Sequence, residues 1–127
     1  MISARYGHCS CIIQSDDGTT DVIIIIGGDT DEGITNTTEI FNIKESKWTQ
    51  GPPLPVGIDR AACVSLPPTM KSVSNISCVV VGGQMDIRIN NKYNSSDVYG
   101  LNSSLTSWTH LGKIRKERWG HIVLPLS

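Results

Sequence analysis

Histidine and cysteine are the residues of this chain that could most readily support metal or redox chemistry. His8 and His121 each end an Arg-x-Gly-His motif, and Cys9, Cys11 and Cys63 are further potential ligands. Imidazole and thiolate groups together can bind zinc or copper. The cysteines at 9 and 11, however, are separated by one residue, which is not the spacing of paired zinc ligands. We therefore predict that the chain binds no metal and no cofactor.

The sequence offers no other recognisable catalytic motif. Ser10 does not lie in a nucleophile elbow of the G-x-S-x-G type. The glycines at 27 and 28 are not continued as a phosphate-binding loop, since neither G-x-x-x-x-G-K-[ST] nor G-x-G-x-x-G follows. The sequence accordingly predicts a protein that is not an enzyme.

Composition narrows the fold class and the kind of partner. The 127 residues are enough for one ordinary domain or a few repeat units. Eleven basic and twelve acidic residues give a formal net charge of -1, which argues against nucleic acid as a partner. Twelve glycines and six prolines beside short β-branched runs favour many strands joined by tight turns. We predict an all-β fold.

The cysteines and the apolar runs lead to a prediction about compartment. The longest apolar run, Val22 to Ile26, is far shorter than the roughly 20 residues of a membrane-spanning helix, so we predict no membrane insertion. We see no secretory signal and predict a cytoplasmic location. The four cysteines are too few for a disulfide scaffold, would stay reduced there, and are interpreted as small buried hydrophobic residues: Cys9, Cys11, Cys63 and Cys78.

The chain contains an internal repeat, because segment 5–59 can be laid over segment 60–117. The copies are offset by 55 residues at an arginine and at a glycine pair, by 58 at an aromatic residue and by 60 at a tryptophan, as their numbering shows. The offset increases along the repeat because the loops of the two copies differ in length, whereas the strands correspond. The shared landmarks are Arg5, Arg60 and Arg118; Gly27 and Gly28 with Gly82 and Gly83; Glu39 with Asp97; Phe41 with Tyr99; and Trp48 with Trp108.

Each repeat is predicted to contain four short strands bounded by turn-forming residues. Unbroken apolar runs in the second strand of each repeat are expected to be covered on both faces, which requires neighbouring sheets. The second repeat also has an insertion at 66–74 before its second strand. The predicted strands are 8–13, 22–26, 37–42 and 47–50 in the first repeat, and 61–66, 78–81, 97–101 and 107–110 in the second.

The order of arginine, apolar strand, glycine pair, aromatic strand and tryptophan, at a period of about 50 residues, resembles the kelch repeat. Kelch units are blades of a β-propeller. The resemblance implies an all-β partial propeller: residues 1–4 lead into repeats 5–59 and 60–117, two four-stranded antiparallel blades, and 118–127 begins a third repeat with its first strand. Because a propeller ring closes with four or more blades, further blades from a longer chain or from other copies are needed.

The resemblance also implies a non-catalytic protein-interaction module. The predicted binding surface, which we call the loop face, consists of the loops 29–36, 50–59, 84–96 and 111–117. Its mixed charge suits a protein partner. A longer parent could recruit substrates as a ubiquitin ligase adaptor or bind actin. The predicted partner-binding residues are Arg5, Asp31, Glu32, Arg60, Arg88, Asn91 and Arg118.

Two alternatives remain open. Some kelch-type propellers resemble galactose oxidase, a copper enzyme, and His8 and His121, at the same position on the innermost strand of their repeats, could serve such a site. An extracellular adhesion propeller is the other alternative, because four of the seven asparagines lie in Asn-x-Ser/Thr sequons. These sequons begin at Asn36, Asn75, Asn94 and Asn102.

Overall fold

A computed structural model describes residues 3–14, 21–87, 91–94 and 97–114 of the chain. Thirteen β-strands and one short helix lie within these ranges. They are β1 (Cys9–Gln14), β2 (Asp21–Ile26), β3 (Asp29–Thr30), β4 (Gly33–Ile34), β5 (Thr38–Asn42), β6 (Lys47–Gln50), β7 (Ile58–Asp59), β8 (Ala62–Ser65), α1 (Pro68–Ser74), β9 (Ile76–Val81), β10 (Gln84–Ile87), β11 (Asn91–Asn94), β12 (Asp97–Asn102) and β13 (Trp108–Lys113).

The two repeats form two four-stranded antiparallel sheets, as predicted. The first has the order β1-β2-β5-β6 and the second the order β8-β9-β12-β13. Within each sheet every strand pairs with the one that precedes it in the repeat. This up-and-down meander is the form of a propeller blade. Most predicted strand ends agree with the structure to within two residues.

The second strands of the two blades form the centre of the core. Ile24 and Ile26 in β2 and Cys78 and Val80 in β9 are essentially inaccessible to solvent. Ile25, whose side chain points to the other face of the sheet, is also buried. Consecutive buried residues require cover on both faces, so the expectation drawn from the unbroken apolar runs is confirmed for this part of β2.

The loops between the second and third strands contain additional strands that the sequence analysis did not predict. β3 and β4 form a two-residue ladder in the first blade. In the second blade β10 pairs with β11, and β10 also pairs with β7 from the segment that links the blades. The prediction that loops 50–59 and 84–96 lie on the same side is therefore confirmed, because β7 and β10 belong to one sheet.

The insertion in the second blade forms α1 rather than an irregular loop. Pro68 lies in the first turn, where a missing N–H costs no hydrogen bond. Asn75 ends the helix in the left-handed conformation, with φ of 59°, and its N–H donates to the carbonyl of Lys71 at 2.8 Å. The Lys71 ammonium donates to the Gln14 carbonyl at 2.9 Å, which ties the insertion to the first blade.

The prediction of four reduced, separate cysteines is wrong in this structure. Two disulfides, Cys9–Cys63 and Cys11–Cys78, link the blades with Cα separations of 6.0 and 6.7 Å. The cysteines pair because the tertiary structure places β1 of the first blade directly beside β8 of the second. The expectation of burial holds for Cys11 and Cys78, whereas Cys9 and Cys63 are partly exposed.

Among the residues that the structure describes, no helix is both long and apolar enough to span a membrane.

Candidate functional site

The glycine pairs let backbone segments pass close together at the loop face. All four glycines have positive φ: 63° and 105° at Gly27 and Gly28, and 73° and 92° at Gly82 and Gly83. A Cβ on Gly27 would collide with the carbonyl oxygen of Ile58, and one on Gly83 would lie 2.6 Å from the Ile58 side chain. The segment that links the blades thus passes between the two glycine pairs. The prediction that these positions require glycine is confirmed.

Arg5 connects the segment that precedes β1 to the interior of the first blade. Its guanidinium donates to the carboxylate of Glu39 at 2.6 Å, and both side chains are only 1% exposed. It also donates to the carbonyl oxygens of Gly27 at 2.8 Å and Thr37 at 3.0 Å. A guanidinium enclosed in this way does not fit the partner-binding role predicted for Arg5, because its donors are directed into the blade. We correct that prediction: Arg5 is an internal structural residue here.

The second blade has different side chains at the matching position. Asp97, the counterpart of Glu39, accepts a hydrogen bond from His110 at 2.9 Å and lies 3.7 Å from Lys113. The hydrogen bond from His110 is the main cause of a lowered pKa of Asp97, and the charge of Lys113 acts in the same direction against the effect of burial. Arg60, the counterpart of Arg5, is about half exposed and lies 4.0 Å from Asp59. Arg60 therefore remains accessible at the surface.

The tryptophans pack as predicted, each more than half buried. Trp48 stacks on Phe41 across β5 and β6, with ring centroids 4.9 Å apart. The indole N–H of Trp108 donates to the Pro52 carbonyl at 2.9 Å, so it contacts the segment that links the blades. Tyr99 is buried against the edge of His110.

An acidic hairpin projects from the loop face. Asp31 and Glu32 lie at the exposed tip between β3 and β4. The Thr30 hydroxyl accepts from the N–H of Glu32 and donates to the carbonyl of Gly33, which defines the turn. Open clefts of about 340 and 200 Å³ both include Thr30 and Glu32 in their lining. The hairpin tip thus presents carboxylates beside concave, accessible surface.

Tyr6 extends this surface with an aromatic ring. It is 64% exposed, and its phenol donates to the Asp29 carboxylate at 3.2 Å. That hydrogen bond, together with the negative charge of Asp29, raises the pKa of Tyr6 above its ordinary value, while the charge of Arg60 opposes the shift. Nothing in the repeat pattern pointed to Tyr6, because its counterpart in the second repeat is Ala61.

Of the three remaining predicted partner-binding residues, one lies within the described part of the chain. Asn91 is the first residue of β11, in the hairpin formed by β10 and β11. β10 of this hairpin also pairs with β7. Arg88 and Arg118 lie outside the described residues, as do the third-repeat strand and His121. Of the predicted set, the structure therefore places Asp31, Glu32 and Arg60 at accessible positions.

The candidate metal-binding side chains are not brought together within the described ranges. There, no three histidine, cysteine, aspartate or glutamate side chains are grouped so that they could hold a metal ion. His8 is exposed, and the cysteines that were considered with it form disulfides.

The comparisons agree with the fold. The family model of the kelch motif matches residues 19–55, from just before β2 to just after β6. A comparison with curated proteins found no match. The fold and the motif define a partial β-propeller of four-stranded blades, and kelch propellers are in general non-catalytic protein-interaction modules. The match supports a kelch-repeat protein and places a kelch motif at residues 19–55.

Proposed function

We propose that this chain binds a protein partner through its loop face, as part of a larger propeller without catalytic activity of its own. The observation that carries the proposal is the convergence of two hairpins and the linking segment on one side of the blades. β7 and β10 share a sheet, and β10 lies against β4. The linking segment is bound to the first hairpin by hydrogen bonds from Ile58 N–H to Thr35 and from Leu54 N–H to Asn36.

The exposed side chains of this face suit a protein better than a small molecule. Tyr6 offers an accessible ring, Arg60 a guanidinium, and Asp31 with Glu32 a pair of carboxylates. Tyrosine and arginine are enriched among the residues that contribute most to protein–protein binding. Charges of both signs at the rim steer a complementary partner and suppress wrong ones.

The finer role depends on the compartment of the parent protein. Ubiquitin ligase recruitment and actin binding are cytoplasmic tasks, and there the four cysteines would be kept reduced. Two disulfides between the blades favour the alternative of an extracellular adhesion propeller, since such bridges persist in oxidising environments. We propose the extracellular role ahead of the two cytoplasmic ones.

The test places a photo-crosslinking amino acid at Glu32 or at Glu45 in the full chain expressed in cells. Both positions are exposed glutamates in hairpin turns, but Glu45 lies in the turn between β5 and β6, on the opposite side of the blade. We expect a discrete protein adduct from position 32 that Asp31→Lys abolishes, and none from position 45. Equal adducts from both positions, or none from position 32, would overturn the proposal.

A further inference from the structure

The four sequons differ in how their asparagines are engaged in the folded chain. Asn75 is exposed at the end of α1, and its hydrogen bonds are made by its backbone: its N–H donates to Lys71, and its carbonyl accepts from the Ser103 N–H at 3.1 Å. Its side chain extends from a left-handed residue at the surface.

The amides of Asn36 and Asn102, in contrast, are part of the fold. Nδ2 of Asn36 donates to the Leu54 carbonyl at 2.9 Å from a partly buried position. Asn102 shapes the turn after β12: its Oδ1 accepts from the N–H groups of Thr106 and Ser107, and its Nδ2 donates to both hydroxyls. A substituent on either Nδ2 would displace or crowd these contacts.

We infer that Asn75 is an N-glycosylation site, and that Asn36 and Asn102 are not used. In the reaction, Nδ2 of Asn75 forms a bond to C1 of an oligosaccharide, the C1–oxygen bond to the diphosphate of a lipid-linked donor breaks, and the amide releases one proton. No oxidant or reductant is required. The inference concerns the three sequons whose asparagine side chains the structure describes.

One observation supports modification in the secretory pathway, and a second fixes when it must occur. The blades are joined by two disulfides, which form in the same oxidising compartment in which N-glycans are added. The hydroxyl of Ser77, the third residue of the sequon, is buried and donates to the carbonyls of Leu101 and Asn102. Transfer must therefore precede folding, after which the glycan has to fit the folded surface, and exposed Asn75 meets that condition.

The position of Asn75 separates the glycan from the loop face. The segment between β8 and β9 lies on the side opposite the hairpins β3–β4 and β10–β11, as antiparallel meander topology requires. A glycan there leaves Asp31, Glu32 and Arg60 accessible. The inference rests on the extracellular location of the proposed function but not on its binding face, so its failure would leave the binding face unaffected.

The test expresses the full chain behind a cleavable secretion signal in eukaryotic cells. The secreted, disulfide-bonded fraction is treated with a glycosidase that converts glycosylated asparagine to aspartate in ¹⁸O-water, and each sequon peptide is analysed by mass spectrometry. We expect most of Asn75 to be converted, at least tenfold more than Asn36 or Asn102. An unconverted Asn75, or equal conversion at Asn36 or Asn102, would overturn the inference.

Matched variants guard against effects of folding. Asn75→Gly removes the sequon and preserves the left-handed helix end, which glycine adopts readily. It should abolish the glycan at this site while both disulfides still form. Ser77→Thr keeps the sequon and a hydroxyl at the buried position, and should keep the glycan. A loss of glycan in Ser77→Thr, or a glycan persisting at position 75 in Asn75→Gly, contradicts the assignment.

Discussion

At the residue scale, the ion pair between Arg5 and Glu39 has the largest expected effect on stability. Arg5→Ala would leave the carboxylate of Glu39 buried without its main cation, which costs about 3 to 5 kcal/mol of unfolding free energy. Urea unfolding followed by tryptophan fluorescence measures this loss. Lys47→Ala, which removes an exposed cation of β6, is the control and should cost less than about 0.5 kcal/mol. Equal losses for the two variants would contradict the roles assigned here.

Glycine substitutions separate the cost of positive φ from that of close contact. Gly27 and Gly112 both have positive φ, at 63° and 147°, but a Cβ on Gly112 meets no atom within 4 Å. Gly112→Ala should therefore cost roughly 1 kcal/mol through its backbone alone. Gly27→Ala should cost more, because the methyl group would also displace the Ile58 carbonyl. Thermal unfolding of the two variants makes the comparison, and a larger loss at Gly112 would refute it.

The Asp97 carboxylate predicts a dependence of stability on pH. Because His110 and Lys113 hold the pKa of Asp97 below its unfolded value of about 3.9, its contribution is present above that value and is lost as the pH falls through the lowered folded pKa. Asp97→Asn should reduce stability at pH 6 to 8 by up to about 1 kcal/mol. The difference from the unaltered chain should shrink below about pH 4, as denaturant unfolding at several pH values would reveal. A constant difference down to pH 2 would exclude this linkage.

At the element scale, the paired cysteines should stabilise the contact between β1 and the second blade. Replacing Cys11 and Cys78 together by serine removes a cross-link between residues 67 apart and should lower the unfolding free energy by about 2 to 5 kcal/mol. Mass spectrometry after alkylation gives a direct check: no cysteine should react before reduction and all four after it. Alkylation of the unreduced folded chain would show that the bridges are absent.

The strands were predictable because each signal is local. A run such as Val22 to Ile26, ended by a glycine pair and followed by an aromatic strand, needs no knowledge of the rest of the chain. The short strands β3, β4, β7, β10 and β11 were missed because their pairing depends on how the linking segment packs between the glycine pairs. α1 was missed because a seven-residue helix has too short a periodic pattern to stand out.

The candidate site was predictable only in outline. Meander topology placed the loop face, and the charges of Asp31 and Glu32 were visible in the sequence. The repeat gave Arg5 and Arg60 the same role, yet Arg5 is enclosed with Glu39 while His110 and Lys113 take the matching place beside Asp97. Which side chain pairs with the acid of each blade is decided by side-chain packing, which a repeat alignment does not contain. The disulfides were missed for a similar reason, since β1 and β8 become neighbours only when the blades pack.

At the scale of the whole molecule, an open propeller has exposed edges. The outer strands β6 and β13 end their sheets, and Ile12, Ile43 and Leu111 are exposed large apolar residues. Unpaired edges beside apolar surface promote association between chains. We expect the isolated 127-residue chain to aggregate or to assemble into oligomers, and to become soluble when further kelch units are appended. Sedimentation of the isolated chain as a monomer with a cooperative thermal transition would contradict this.

The disulfide connectivity has a consequence for how such a chain can be made and inherited. Each bridge takes one cysteine from the first repeat and one from the second, with sequence separations of 54 and 67 residues. Synthesis of the chain must therefore reach Cys78 before both cysteines of the first repeat have partners. Propeller blades are commonly regarded as modules that genes can gain or lose singly. Here the loss of either repeat would leave both cysteines of the other without their partners, so we expect the two blades to be retained together.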